Sequence, residues 1–248
     1  MNDAGHPADP LQDALLAARL FLIAPRQLGG LSLRGFGPAR DCLVTALQDA
    51  MSLRRLPGHI DDERLLGGVD LAASLASGSA VIQRGLLEEA QGGALLVPMA
   101  ERLDDALAGR LVQAFDDGSE IGLVLLDDST SADEAPPVSL LERMPFLCDL
   151  TAVERLPVEE IKLTESGDLA RVDPLADSDL QALAATGSAL GVQSVRALVF
   201  AGQAALAHAA LEKRTQVNEP DLNAAVRLVL APRATQLPPA EETPPDDV

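Results

Sequence analysis

The sequence of 248 residues contains no tryptophan, no tyrosine and only five phenylalanines. Any core it builds is therefore mainly aliphatic, and a hydrophobic content of 47% is ample for one. Basic residues are scarce. Nineteen Lys and Arg face 38 Asp and Glu, for a formal charge of −19 and a sequence pI near 4.4. That balance argues against DNA, RNA or an anionic membrane surface as partner, because each rewards clustered cations. Cysteine is limited to Cys42 and Cys148, which match no metal-ligand spacing and no disulfide framework, so both are read as free thiols in a reducing cytoplasm. His6, His59 and His208 are scattered and suggest no ligand set. A basic leader is lacking too: Asp3, Asp9 and Asp13 stand where a signal peptide carries positive charge. The apolar run over residues 14–23 is short and contains Arg19, too brief to span a bilayer. A cytoplasmic protein is expected.

What is present begins with a helix start. Asp9 can cap, Pro10 suits the first helical position, Gln12 can reach back, and Pro25 stops the helix near Ala24. A strand is expected over residues 30–34, a glycine turn over 35–39, and a helix from about Arg40 with Leu43, Val44 and Leu47 on one face. Strand, glycine turn and helix are the layout of a phosphate loop. A working loop needs free backbone N–H groups, a Lys on the β- and γ-phosphates and a hydroxyl on Mg²⁺. Here Arg40 comes one position early, Ala39 replaces the second glycine, Asp41 replaces the hydroxyl and Pro38 removes a donor. Gly35, Gly37, Arg40 and Asp41 thus form a degenerate phosphate loop. An ordinary glycine turn and a weak residual nucleotide contact both remain open.

After a short strand near residues 53–56, Gly92-Gly93 feeds the apolar run Ala94-Leu95-Leu96-Val97, which fits a strand buried on both faces of a parallel sheet. In an ATP-hydrolysing α/β domain such a strand ends in two acids, one for Mg²⁺ and one for the attacking water. Pro98 and Met99 stand there instead. Neither can ligate a hard cation or accept a proton.

Two segments lead into that strand: Arg64-Leu65-Leu66-Gly67-Gly68-Val69-Asp70 and Gly85-Leu86-Leu87-Glu88-Glu89-Ala90-Gln91-Gly92-Gly93. They resemble the R-L-x-G-x-x-D and G-L-L-x-x-A-x-x-G segments of the AAA+ module of magnesium chelatase. Loss of the acidic pair together with the phosphate loop resembles the D-type subunit of that family, the partner of its active I-type ATPase subunit. The resemblance runs from about Leu15 to Arg233. MoxR-type ATPases share the architecture.

Downstream, residues 103–115 have helical periodicity and residues 121–126 form the next strand. The long hairpin that active chelatase ATPases insert between these two elements is missing. Asp127, Ser129 and Ser131 then spell D-x-S-x-S, a spacing that can hold Mg²⁺ in integrin-type domains, but the position is that of an AAA+ sensor strand. A solvated loop is favoured over a metal site. Leu140-Leu141-Glu142-Arg143 matches the family's L-L-D-R segment before a strand at residues 146–150. The resemblance implies that Arg143 is an arginine finger acting on a neighbour's phosphate; a surface pair with an acidic residue is the bland reading. Ser194-Val195-Arg196 falls where the family keeps its second sensor arginine, so Arg196 either touches nucleotide or bridges lid and core.

The expected fold is α/β: an AAA+ P-loop-type parallel sheet between helices over residues 1–152, then an all-helical lid over 153–233. Residues 234–248, rich in proline and acid, are expected to be a disordered linker. The resemblance implies a non-hydrolysing subunit that assembles with the I-type ATPase subunit and the porphyrin-carrying H-type subunit, self-associates, and couples ATP turnover to Mg²⁺ insertion into protoporphyrin IX. ATP and Mg²⁺ then act in the complex, with no cofactor assigned to this chain. The competing readings are a self-sufficient MoxR-type ATPase and a metal-dependent adhesion module using Asp127, Ser129 and Ser131.

Overall fold

The structure, a computed structural model, describes residues 9–131, 133–153, 161–163 and 167–236. The chain opens with α1 (Pro10–Ile23), capped by the Asp9 carboxylate accepting from the Leu11 N–H, with Pro10 in the first turn. A short α2 (Pro25–Leu28) leads into β1 (Gly30–Arg34) and α3 (Pro38–Ala50). Helix α3 starts at Pro38, two residues before the expected Arg40, because proline's fixed φ suits the first helical position and its missing N–H costs nothing there.

β2 (Leu53–Arg55) is followed by an excursion that the sequence displays only as two motifs. It comprises α4 (Asp62–Leu66), β3 (Gly67–Val69), α5 (Leu71–Ser77), β4 (Ile82–Arg84) and α6 (Leu86–Glu89). β3 and β4 pair antiparallel as a separate two-stranded sheet. Asp70 of the first motif caps α5 by accepting from the Ala73 N–H.

β5 (Ala94–Val97), α7 (Asp105–Asp116), β6 (Gly122–Asp127), α8 (Val138–Leu141) and β7 (Phe146–Asp149) complete the core. The main sheet has the order β2-β5-β6-β1-β7, and all its pairings are parallel. Only the residues 117–121 separate α7 from β6, so no inserted hairpin stands there.

Alternation along the strands divides the apolar side chains between two layers. Leu31, Leu33, Leu96, Val124 and Leu126 face α1, α3 and the lid. Leu95, Val97, Leu123 and Leu125 face the other way, toward Leu107 and Leu111 of α7. Phe21 packs so tightly on Gly122 that a Cβ there would collide with the ring.

The lid consists of α9 (Asp177–Ala189), α10 (Val195–Leu211) and α11 (Glu219–Ala225), the last continuing through a π turn (Val226–Leu230) and a 3₁₀ turn (Ala231–Arg233). Asn218 and Asp221 form a reciprocal capping box at the start of α11. Small residues line the buried face of α10, among them Ala201, Gly202, Ala204 and Ala205, which lets α1 and α11 approach closely. The expected lid start falls in a stretch of which residues 154–160 and 164–166 lie outside the described residues, as do residues 237–248 of the expected linker.

Candidate functional site

Two opposite edges of the main sheet carry the residues singled out by the sequence. At the carboxyl ends of the strands, Arg34 of β1 is in register with Asp127 of β6, and Val97 of β5 with Leu125. Pro98 and Met99 therefore end β5 beside the β6 terminus, at the position of the acidic pair. Met99 adopts a left-handed backbone with φ 49° and ψ 49°.

The glycine turn sits at the same edge. The Gly35 N–H donates to the Asp127 carbonyl at 3.0 Å, and with φ 97° a Cβ there would lie 2.9 Å from the Thr151 nitrogen. Phe36, at the tip of the turn, is 73% exposed. Gly37 takes φ 122°, and its carbonyl accepts from the Asp41 N–H to open α3.

Arg40 turns inward. Its guanidinium is buried and pairs with the Asp128 carboxylate, and the Asp128 N–H donates to Glu101 Oε2 at 3.0 Å. Glu101 is itself nearly buried, and Arg34 Nη2 donates to the Ser131 carbonyl at 3.1 Å. This interior ion pair and its carboxylate neighbour are not legible in the sequence. Asp128 is visible there only as the unused member of D-x-S-x-S, and nothing in the spacing links it to Glu101 or Arg40.

These residues do not fit a nucleotide triphosphate with Mg²⁺. The basic group is committed to a carboxylate, one loop N–H is spent on Asp127, and Pro38 has none. Asp41 occupies the first turn of α3, where a phosphate would meet the positive end of the helix. Asp127, Asp128 and Glu101 add negative charge to the same edge.

The D-x-S-x-S loop is exposed in its second half, at Thr130 and Ser131, as expected of a solvated loop, but its first half turns inward. Asp127 and Ser129 are buried, with the Ser129 N–H donating to Asp127 Oδ1 at 3.0 Å. Ser131 Oγ accepts from the Asp133 N–H at 3.2 Å, so its hydroxyl shapes its own loop. Among the described residues no group of three or more His, Cys, Asp or Glu is placed to hold a metal ion.

At the opposite edge, where the strands begin, stands Arg143. Its carbonyl faces Gly29, the residue before β1. Arg143 Nε donates to Asp116 Oδ1 at 3.1 Å, Nη2 pairs with Asp116 Oδ2, and Nη1 donates to the Ser139 carbonyl at 2.8 Å. The hydrogen bonds from Arg143, with the positive charges of Arg143 and Arg196, hold the Asp116 carboxyl below its ordinary range. Arg143 thus pairs with Asp116 at one edge, while Gly35, Gly37, Arg40 and Asp41 lie together at the other.

The lid carries a buried network of its own. Asp221 is fully buried and accepts from both terminal nitrogens of Arg214, from the Asn218 N–H, and pairs with His208 Nδ1. Burial pushes its carboxyl up, but these partners outweigh it and hold the carboxyl below the usual range. In β7, burial pushes the Cys148 thiol up to about 12, and both Cys42 and Cys148 are free.

Comparison with known proteins agrees with this architecture. Residues 180–248 match the AAA lid domain family. The chain is 36% identical to the magnesium-chelatase 60 kDa subunit of Cereibacter sphaeroides, over 97% of this chain and 43% of that protein. It is 29% identical to the magnesium-chelatase 67 kDa subunit of Chlorobaculum tepidum, over 94% of this chain and 44% of that protein. It therefore spans less than half the length of these curated relatives. Among solved structures, a full-length MCM homolog from Methanopyrus kandleri superposes with a TM-score of 0.62 at 16% identity, covering 90% of this chain and 55% of that one. That likeness is one of fold.

Proposed function

The chain is a relative of the 60 and 67 kDa magnesium-chelatase subunits over nearly its whole length, and from that premise we propose that it is a non-hydrolysing AAA+ subunit of an ATP-dependent magnesium chelatase. It assembles with the active I-type ATPase subunit and the porphyrin-carrying H-type subunit, and couples the ATP cycle of the complex to insertion of Mg²⁺ into protoporphyrin IX. The reaction belongs to chlorophyll and bacteriochlorophyll biosynthesis, and its setting is the cytoplasm. Among the described residues no helix is long and apolar enough to cross a membrane.

One observation carries the reading: Arg143 and the degenerate loop occupy opposite edges of the sheet. Arg143 lies where β1 begins and Arg40 beyond where β1 ends, five residues and roughly 16 Å later. That distance from the loop of its own subunit supports a role for the Arg143 charge at a neighbouring subunit. A planar guanidinium there pairs bidentately with phosphate oxygens and offsets the charge that develops on the transferred group. Arg196, close enough to help lower the Asp116 carboxyl, adds a second positive charge near Arg143.

The chain's own edge supplies none of the groups that hydrolysis needs. Pro98 and Met99 offer no metal ligand and no base, and Arg40 is held by Asp128. A self-sufficient ATPase of MoxR type has no support in these groups. An adhesion module has none in a loop whose Asp127 and Ser129 are buried against each other.

The test is ATP binding and turnover by this chain, followed by complex formation with the active ATPase subunit. The proposal expects no turnover by the chain alone and a stable complex with that subunit. Turnover by this chain alone overturns it.

A further inference from the structure

Arg233 ends the last helical turn of the lid, yet its guanidinium lies against the core. Nη1 donates to the Pro145 carbonyl at 2.9 Å and to the Val229 carbonyl at 2.8 Å, and Nη2 donates to the Met144 carbonyl. Burial lowers the pKa of this guanidinium to about 10, and the acceptors it meets are main-chain carbonyls. A half-buried cation satisfied by main-chain oxygens fixes the path of a backbone.

The two core carbonyls it grips belong to the residues directly after Arg143, at the entry to β7. On its other side the chain is tied to the end of α9. The N–H groups of Thr235 and Gln236 both donate to the Leu190 carbonyl, at 2.9 and 3.2 Å, and Thr235 Oγ1 donates to the Gly191 carbonyl at 2.9 Å. Three residues beyond Gly191, Ser194 caps the helix that carries Arg196. A cavity of about 460 Å³ otherwise separates the two sides, with Leu141, Glu142 and Leu147 on the core and residues 191–194 on the lid. Arg233 and Thr235 line this gap and bridge it.

We infer that Arg233 is a positioning residue, whose grip on the Met144 and Pro145 carbonyls holds the Arg143 segment in register with the lid helix bearing Arg196. The inference rests on the proposed role of Arg143 at a neighbouring subunit. Movement of the lid in an assembly then moves the Arg143 segment with it, because the bridge ends on main-chain carbonyls on both sides. Lysine is a poor substitute, since one ammonium cannot present the forked donors that reach both core carbonyls and Val229.

The test uses the full chain mixed with the active ATPase subunit, comparing wild type with Arg233→Met, Arg233→Lys and Arg143→Ala. Amide hydrogen exchange of each variant alone is the second readout. Arg233→Met is expected to lower kcat about tenfold, toward the Arg143→Ala value, with KM for ATP unchanged, and Arg233→Lys to fall between. Exchange at residues 143–147 should quicken in both Arg233 variants while α10 stays protected. If Arg143→Ala lowers kcat but the Arg233 variants do not, or if exchange at residues 143–147 is unchanged, the inference is overturned and the proposed function stands. If Arg143→Ala leaves kcat unchanged, the role of Arg143 itself fails, and the positioning role fails with it. Should Arg233→Met not fold, Arg233→Lys carries both readouts.

Discussion

Arg143 and Asp116 form a two-pronged ion pair across the strand-entry edge of the sheet, with Nε on Oδ1 and Nη2 on Oδ2. Asp116 ends α7, where a carboxylate faces the negative end of the helix, so the guanidinium offsets an unfavourable placement. The same contact occupies the donors that a neighbour's phosphate would need. In the proposed role, Arg143 has to exchange Asp116 for the new partner.

The pair gives a pH signature. The carboxyl of Asp116 is lowered from its ordinary 3.8 on folding. Its contribution to stability is complete above that value and is lost as pH falls through the lower folded-state pKa. Urea unfolding of wild type and Asp116→Asn should give a stability difference that is constant from neutral pH to about 5 and shrinks below about 4. A difference independent of pH down to acid unfolding would mean that the pair contributes nothing.

At the opposite edge, Arg40→Ala leaves Asp128 unpaired beside the nearly buried Glu101. The expected cost is about 2 to 4 kcal/mol, read as a lower urea midpoint, because the retained carboxylate loses the guanidinium that pairs with it. Arg40→Ala with Asp128→Ala together should recover part of that loss. A double variant that is simply the sum of its singles would show the two side chains to be energetically independent.

In the lid, Asp221→Ala removes the shared acceptor of Arg214, His208 and the Asn218 N–H. Calorimetric unfolding should show a loss of about 3 to 5 kcal/mol, since the variant strands a cation and undoes the capping box at once. The Asp221 carboxyl is also lowered on folding, so this stabilisation too is present above its ordinary value of 3.8 and lost on acidification.

How far the sequence reaches differs between elements for physical reasons. The strand Ala94–Val97 and the helix Asp105–Asp116 are readable because burial on two faces and burial on one leave distinct periodicities. The excursion from Asp62 to Glu89 is not, because its strands are three residues long and too short for alternation to register. Arg40 is legible as a misplaced basic residue, but not as half of an ion pair, since Asp128 lies 88 residues away. Arg233 looks like the end of a helix. Its grip on Met144 and Pro145 uses backbone oxygens, which every residue possesses and no sequence pattern marks.

Met99 carries a backbone cost just beyond the end of β5. Its left-handed backbone is strained for a side chain with a Cβ, and Met99 is 42% exposed. Met99→Gly should raise stability by roughly 0.5 to 1 kcal/mol, seen as a higher melting temperature. An equal or lower melting temperature would show that packing of the methionine outweighs the strain.

The most direct measurement is the rate of ATP hydrolysis by the active chelatase ATPase subunit in complex with this chain, compared with the same complex carrying Arg143→Ala. Loss of a charge that stabilises the transition state in a neighbour's site predicts a fall in kcat of at least about tenfold, with the complex still formed. An intact complex whose kcat is the same with and without the Arg143 guanidinium would contradict the account.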